Sequence, residues 1–425
     1  MMAQPERRVV VTGIGIVAPN GIGKHAFRHA IEQGKMGIKA LHLADTTLPF
    51  KVGGKIDDFV AEHYLERKLV QRTDRMTHLA LAALQEAWHD SAITMEQENP
   101  RRVGAVIANT IGGAAFAIKE VRKLYTDGPR AMSAFTSIAW IQVANVGQAA
   151  LLYGFRGYCT TLVNDLAGGL DAFGTAYHAI RHNVADVLIT GGCEAPLDSY
   201  VLMTQGQTGW LTTGDDTSAY CPFDRQARGL LLAEGAGICI LEEYEHAMQR
   251  GATIYGEIVG YGQTNDATGW RSQPEVGKQY ARAIRQVMQE GEIDPNEIGY
   301  FSLDGRALPA ADHAEADALH RVFGTQMEHL PVSVPRTMLG HSYAAAGAID
   351  TITALLALQE NFIPPTLHCP DLNPDYGLML IRDEARSLHG DVVVLGARSF
   401  GGSNVVLALR KMPANHHLQF GVLQE

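Results

Sequence analysis

The sequence predicts an α/β fold, a sheet covered by helices, on two observations. β-Branched runs at 8–12, 103–108, 186–190 and 237–241 alternate with helix-like stretches. After about residue 253 a second series follows, in TIYGEIVGYG, IGYFSLDG, PVSVPRTMLG and DVVVLGARSFGG, separated by the helical EADALHRVF and AIDTITALLALQ. The chain therefore reads as two related halves, 1–253 and 254–412, followed by an aperiodic tail at 413–425.

Each half carries a strand that leads through a tight turn into a small-residue helix, VNDLAGGLDAFGTAYHAI at 163–180 and PRTMLGHSYAAAGAIDTITALLAL at 335–358. Small Gly and Ala allow such helices to pack close together. Ahead of them, 72–88 places Met76, Leu79, Ala83 and Leu84 near helical spacing with charge opposite, the pattern of a packed outer helix.

With 425 residues, 46% of them hydrophobic, the chain can fill one large duplicated core. A formal charge of −11 without a dense Lys/Arg tract argues against nucleic acid and anionic lipid as partners. Strand-like sequence starts by Arg8, and no apolar run approaches the ~18 residues of a membrane span, so a soluble cytoplasmic protein is expected. Cys159, Cys193, Cys221, Cys239 and Cys369 lack zinc-site spacing and read as reduced, mostly buried thiols, with no metal.

The opening VTGIGIVAPNGIG sets Gly13, Gly15 and Ala18 in the order of a dinucleotide fingerprint. That motif needs a helix to start at once on the pyrophosphate, whereas Pro19-Asn20-Gly21 makes a turn, and no acidic residue closes a second strand at the required distance. The glycines read instead as a strand-end turn.

Taken in order, SIAWIQVANVGQ, VNDLAGGLDAFG, DVLITGGCEA, PFDRQARGLLLAEGAG, RTMLGHSYAAAGAID and ARSFGGSN resemble the β-ketoacyl synthases from Arg8 to about Arg410. The resemblance implies the thiolase-like fold, two βαβαβαββ halves in a five-layered α-β-α-β-α core. Active members carry a cysteine nucleophile at the N-terminus of the buried helix, its thiolate favoured by the helix dipole. Aligning on DVLITGGCEA puts Leu166 there, and a leucine has no lone pair with which to attack a thioester.

The same resemblance assigns two histidines to enolate and oxyanion stabilisation. Asp304 stands in place of the first, where a carboxylate would repel a developing enolate, while His341 matches the second. Arg336 replaces a lysine near the start of the His341 motif. In ARSFGGSN, Phe400 would supply a backbone N–H near the acyl site and Arg398 replaces an aromatic gate residue, so that an ion pair between Arg398 and Asp304 is expected in an obstructed pocket.

Loss of nucleophile and first histidine looks like the chain-length factors, the ketosynthase β subunits of type II polyketide synthases. In them a glutamine commonly precedes AGGLDA, so Leu166 departs from that pattern and argues against any priming decarboxylation. The resemblance implies an active ketosynthase α subunit and an acyl carrier protein as partners. It implies no cofactor on this chain, the phosphopantetheine arm being delivered by the carrier to the partner.

In 112–129, Ala114, Ala117 and Val121 recur at helical spacing. Two readings stay open: this face lines a roomy product tunnel at the dimer interface, or it packs simply against the partner. Phe116 and Trp140 read as core or interface aromatics. Arg67, Lys68, Arg72 and Arg75 either face an acidic carrier protein or form a solvated surface.

Two alternatives to a non-catalytic subunit remain at this level. One is an active synthase using another nucleophile, with Cys159 the nearest in sequence; at ~3.3 Å per strand residue it lies about 23 Å from Leu166. The other is a carrier-protein-binding scaffold, which co-purification with an active homologue would separate from the leading reading.

Overall fold

The computed structural model describes residues 6–43, 45–269 and 276–413. Of the expected tail, 414–425 lie outside the described residues.

Eleven strands form the path of a 12-stranded sheet, and the pairing pattern repeats. In the first block, Val9–Ala18, Gly235–Glu243, Val187–Glu194, Val103–Ala108 and Cys159–Leu162 pair successively antiparallel, antiparallel, parallel and parallel. In the second, Gly256–Asn265, Ser403–Arg410, Val392–Arg398, Ile298–Ser302 and Pro331–Ser333 repeat that order. Met379–Leu380 extends the second block at its edge. The blocks join where Val9, Val10 and Val11 pair with Ile258, Glu257 and Gly256.

The edge strand of the first block feeds the helix Gly168–Arg181, and the matching strand Pro331–Ser333 feeds Ala344–Glu360. These two central helices pack on each other and on the inner faces of both blocks. Arg75–Ser91 covers the outside of the first block; Lys278–Glu290 covers that of the second, with Pro309–Phe323 packed beside it. The result is the expected α-β-α-β-α layering, with one hydrophobic cluster in the central layer and one beneath each outer layer.

Glycine makes the central crossing possible. A Cβ on Gly169 would run into the Ala344 carbonyl, and one on Gly347 would lie 2.6 Å from the Leu170 nitrogen. Burial of Ala344–Leu358 without exception leaves no polar face on the second helix, as expected for the middle layer of five.

The structure corrects the reading of Gly13 and Gly15. Both lie inside the strand Val9–Ala18, where a Cβ on Gly15 would strike the Ala83 carbonyl and one on Gly13 the Ala87 carbonyl. They let the outer helix approach its strand, and Ala83 and Ala87 supply the small side of that contact. The turn at Pro19-Asn20 is present, closing a two-residue hairpin in which Ala18 pairs with Gly21.

The helix Ala114–Asp127 buries a charged residue and leaves its apolar face open. Its one fully buried residue is Glu120, whose carboxylate accepts from Lys123 Nζ at 2.6 Å and Ser133 N–H at 2.7 Å. Ala114, Phe116 and Ala117 are half-buried and Val121 is exposed, so in this chain alone the apolar face is uncovered. Charge alone would have put Glu120 outside; its two partners allow it in.

Candidate functional site

The turn Asp165–Ala167 and the central helix that follows set Leu166 at the helix N-terminus, fully buried among Tyr220, Leu231, Ala307 and Tyr343. A helix start favours an anion or thiolate; Leu166 offers neither charge nor nucleophile. Cys159 begins the neighbouring strand, paired with Ala105, while the strand's other end at Leu162 approaches the turn. Its thiol is exposed, and partial burial raises its pKa, which makes it a poorer nucleophile.

Asp304 follows the strand Ile298–Ser302 and is wholly buried. Its Oδ2 receives Arg306 Nε at 2.8 Å, its Oδ1 receives Arg336 Nη1 at 2.8 Å, and Arg398 Nε lies 3.5 Å from Oδ2. Burial alone would raise its pKa, but the three guanidinium groups outweigh that and hold it well below the usual carboxylate range. The expected Asp304–Arg398 ion pair is thus one side of a larger cage.

The cage closes on itself. Arg336 Nε also donates to Asp350 Oδ2 at 2.6 Å, and Arg398 donates to Glu315 Oε2 at 3.1 Å and to the Ala311 carbonyl at 2.9 Å. Arg306, Arg336 and Arg398 therefore face Asp304, Asp350 and Glu315, three cations against three anions. Glu315 further accepts the N–H groups of Asp304 and Gly305, which pins the loop to the helix Pro309–Phe323.

His341 lies against this cage with donors on both sides of its ring. Arg336 Nη1 is 3.0 Å from Nε2, and the Tyr343 N–H faces Nδ1 at 3.2 Å. Burial, then the neighbouring Arg336, drives its pKa well below that of free imidazole, so the ring is neutral. A neutral imidazole carries a single N–H, so one of these neighbours donates to its acceptor nitrogen and the other lies beside its own N–H.

The Phe400 N–H is engaged within the chain, donating to Asp165 Oδ2 at 2.7 Å. The Phe400 ring stacks on Trp210 with centroids 3.5 Å apart, and the Arg306 guanidinium lies 5.0 Å from the same ring. Leu166, Asp304, Arg336, His341, Arg398 and Phe400 thus gather in one buried region. Ala114, Phe116, Ala117, Val121 and Trp140 belong to a separate surface.

Sequence reasoning missed Asp165, Arg306, Glu315 and Asp350. For Glu315 the signal was its place in the first turns of a helix that follows Asp304 closely; Asp350 carried none, since a lone acid in an apolar helix does not name its partner. Of the basic group, Arg75 is committed to Glu234 at 2.7 Å and to the Ile56 carbonyl, and Arg72 lies 4.6 Å over Phe135. Arg67 and Lys68 remain exposed on the short helix Arg67–Val70.

Among the described residues, no group of three or more His, Cys, Asp or Glu is placed to hold a metal ion, and no helix is long and apolar enough to cross a membrane.

Fold and site together define a condensing-enzyme architecture, and the chain belongs to the β-ketoacyl synthase family: the N-terminal-domain profile matches residues 6–247 and the C-terminal-domain profile 255–370. It is 37% identical over 406 residues to the tetracenomycin polyketide synthase ketoacyl synthase beta subunit of Streptomyces glaucescens, covering 95% of this chain and 98% of that one. It is 33% identical over 412 residues to the 3-oxoacyl-[acyl-carrier-protein] synthase 2 of Coxiella burnetii, covering 96% and 99%. Among solved structures it is similar to the ishigamide ketosynthase/chain length factor, with TM-score 0.89, 27% identity and coverage of 96% and 100%. A type II polyketide synthase ketosynthase, bound to the hexaketide and in complex with its acyl-carrier protein, gives TM-score 0.88 at 29% identity, with coverage of 96% and 100%.

Proposed function

We propose that this chain is a non-catalytic chain-length-factor subunit of a type II polyketide synthase, one that pairs with an active ketosynthase and shapes its product tunnel. The observation that carries the reading is Leu166, buried where the nucleophile would stand, beside a charge cage that holds Asp304 and His341. Similarity to a ketosynthase beta subunit supports it.

Heterodimer formation draws support from the surface. Among the described residues the edge strand Cys159–Leu162 has a partner on one side alone, and near it in sequence Leu151 is 79% exposed, with Leu152, Val143, Trp140, Ile138 and Val163 also exposed. A bare edge flanked by exposed apolar side chains invites a second sheet. A homologous partner offers the complementary edge.

A cavity of about 660 Å³ runs from Glu66, Lys68 and Arg72 to Ile138, Leu151 and Leu152 of that apolar strip, and its two basic residues support contact with an acidic carrier protein beside the partner interface. The half-buried Ala114 and Ala117 support a tunnel wall that admits a long chain.

Co-expression with a ketosynthase α subunit, purification and assay with malonyl carrier protein tests the reading. Product is expected from the pair and not from this chain alone, and Ala117→Phe is expected to shorten it. Condensation by the isolated chain, with a covalent acyl adduct on it, would overturn the proposal.

A further inference from the structure

Asp165 occupies an unusual place. It opens the turn ahead of the first central helix with φ of 48°, a left-handed conformation that a residue with a side chain keeps when its surroundings enforce it. Thr110 Oγ1 donates to its carbonyl oxygen at 3.0 Å, which fixes the peptide. The carboxylate then folds back to accept the Phe400 N–H at 2.7 Å. Arg306 attracts it as well.

The Phe400 N–H, from the C-terminal half of the molecule, therefore reaches the turn beside residue 166 at the start of a helix. An N–H group aimed beside a helix N-terminus forms a receptor for an oxygen that carries or gains negative charge. In this chain that receptor holds the chain's own carboxylate.

We infer that Asp165 is a built-in occupant of this receptor, so that a thioester carbonyl brought to this subunit finds the Phe400 N–H taken and the acyl cargo is left to the partner. The inference rests on the function proposed above and extends it. Leu166 removes the nucleophile, while Asp165 closes the carbonyl site independently. Because the carboxylate is tethered next to the N–H group, it competes intramolecularly, at an effective concentration that a delivered thioester does not reach. A thiol placed at 166 would thus find its electrophile excluded.

Intact-protein mass spectrometry of the full chain with acetyl-N-acetylcysteamine tests this. In the acylation, the introduced sulfur bonds to the acetyl carbon as the C–S bond to N-acetylcysteamine breaks, and the thiol proton leaves with that product. L166C is expected to acylate slowly and D165G/L166C at least tenfold faster, glycine being suited to the φ at 165. D165N/L166C keeps an acceptor oxygen and is expected to remain slow.

Equal rates for L166C and D165G/L166C, whether both fast or both slow, would overturn the inference, as would an asparagine variant as fast as the glycine one. Melting curves of each variant check the fold, and D165A/L166C provides the same comparison if glycine loosens the turn. Co-purification with a ketosynthase is read separately, so failure of the subunit assignment and failure of the Asp165 inference give different results.

Discussion

The interior around Asp304 balances three arginines with three carboxylates, whereas the strip from Ile138 to Val163 leaves large apolar side chains and a bare strand edge facing solvent. In one region the buried charges are paired within the chain; in the other, apolar side chains stand exposed. In an acyl-transfer enzyme the opposite balance is needed, because a reaction centre must keep donors unsatisfied until substrate arrives. On the function proposed above, this molecule would do its work at the exposed surface and not at the buried site.

The sharpest way to break the contrast is to unbalance the interior. Arg336→Met strips a cation from Asp304 and Asp350 and is expected to cost about 3–5 kcal/mol in denaturant unfolding, since the carboxylates stay buried without it. Asp304→Asn combined with Arg336→Met should cost less than the sum of the single changes if the cage acts as a unit. Simple additivity would show that the contacts are independent.

Packing offers a second test of how closed the interior is. Gly169→Ala drives a methyl into the Ala344 carbonyl at the central crossing and should cost about 1–3 kcal/mol. Gly147→Ala, in the helix Ala144–Tyr153 with nothing within 4 Å of the new carbon, should be neutral or stabilise by up to about 1 kcal/mol. Similar effects at both positions would refute the close-crossing argument.

His246 sharpens the comparison from the other side, being an ion pair that solvent reaches. Its Nδ1 lies 2.6 Å from Glu242 and its Nε2 3.1 Å from Glu98, and these hydrogen bonds push its pKa from 6.5 up to about 10. A folded-state pKa above the unfolded one means that the stabilisation is complete below about pH 6.5 and is lost as pH rises through about 10. His246→Gln should flatten the stability profile across that window, by about 1 kcal/mol or less after solvent screening.

The smallest effect on the chain's own stability, and the largest on its association, is expected at the strip. Leu151→Glu with Val163→Glu should change unfolding by no more than about 0.5 kcal/mol and abolish co-purification with a ketosynthase. Retained association would move the interface elsewhere.

Much of this was legible in order and spacing. Alternating β-branched and helical runs, two glycine- and alanine-rich helices and the repeat of the series gave the layered fold, because each depends on local periodicity. The place of Leu166 at the start of a buried helix was legible as well, since it follows from local sequence order. Burial that depends on partners was not legible: Glu120, charged and buried, is held by Lys123 and by a backbone N–H from another segment. Gly13 and Gly15 were misread for the same reason, their purpose lying in a helix more than sixty residues away.

By itself, then, the sequence determined the α/β order, the duplication and the absence of a nucleophile ahead of the first central helix, since periodicity and side-chain chemistry are local properties. The tertiary structure alone decided that Asp304 meets Arg306, Arg336 and Arg398, that Asp350 completes the balance, and that the Asp165 carboxylate takes the Phe400 N–H. Those groups come from distant segments, and the cost of burying a charge is met only where the folded chain brings its counterion within a few ångströms.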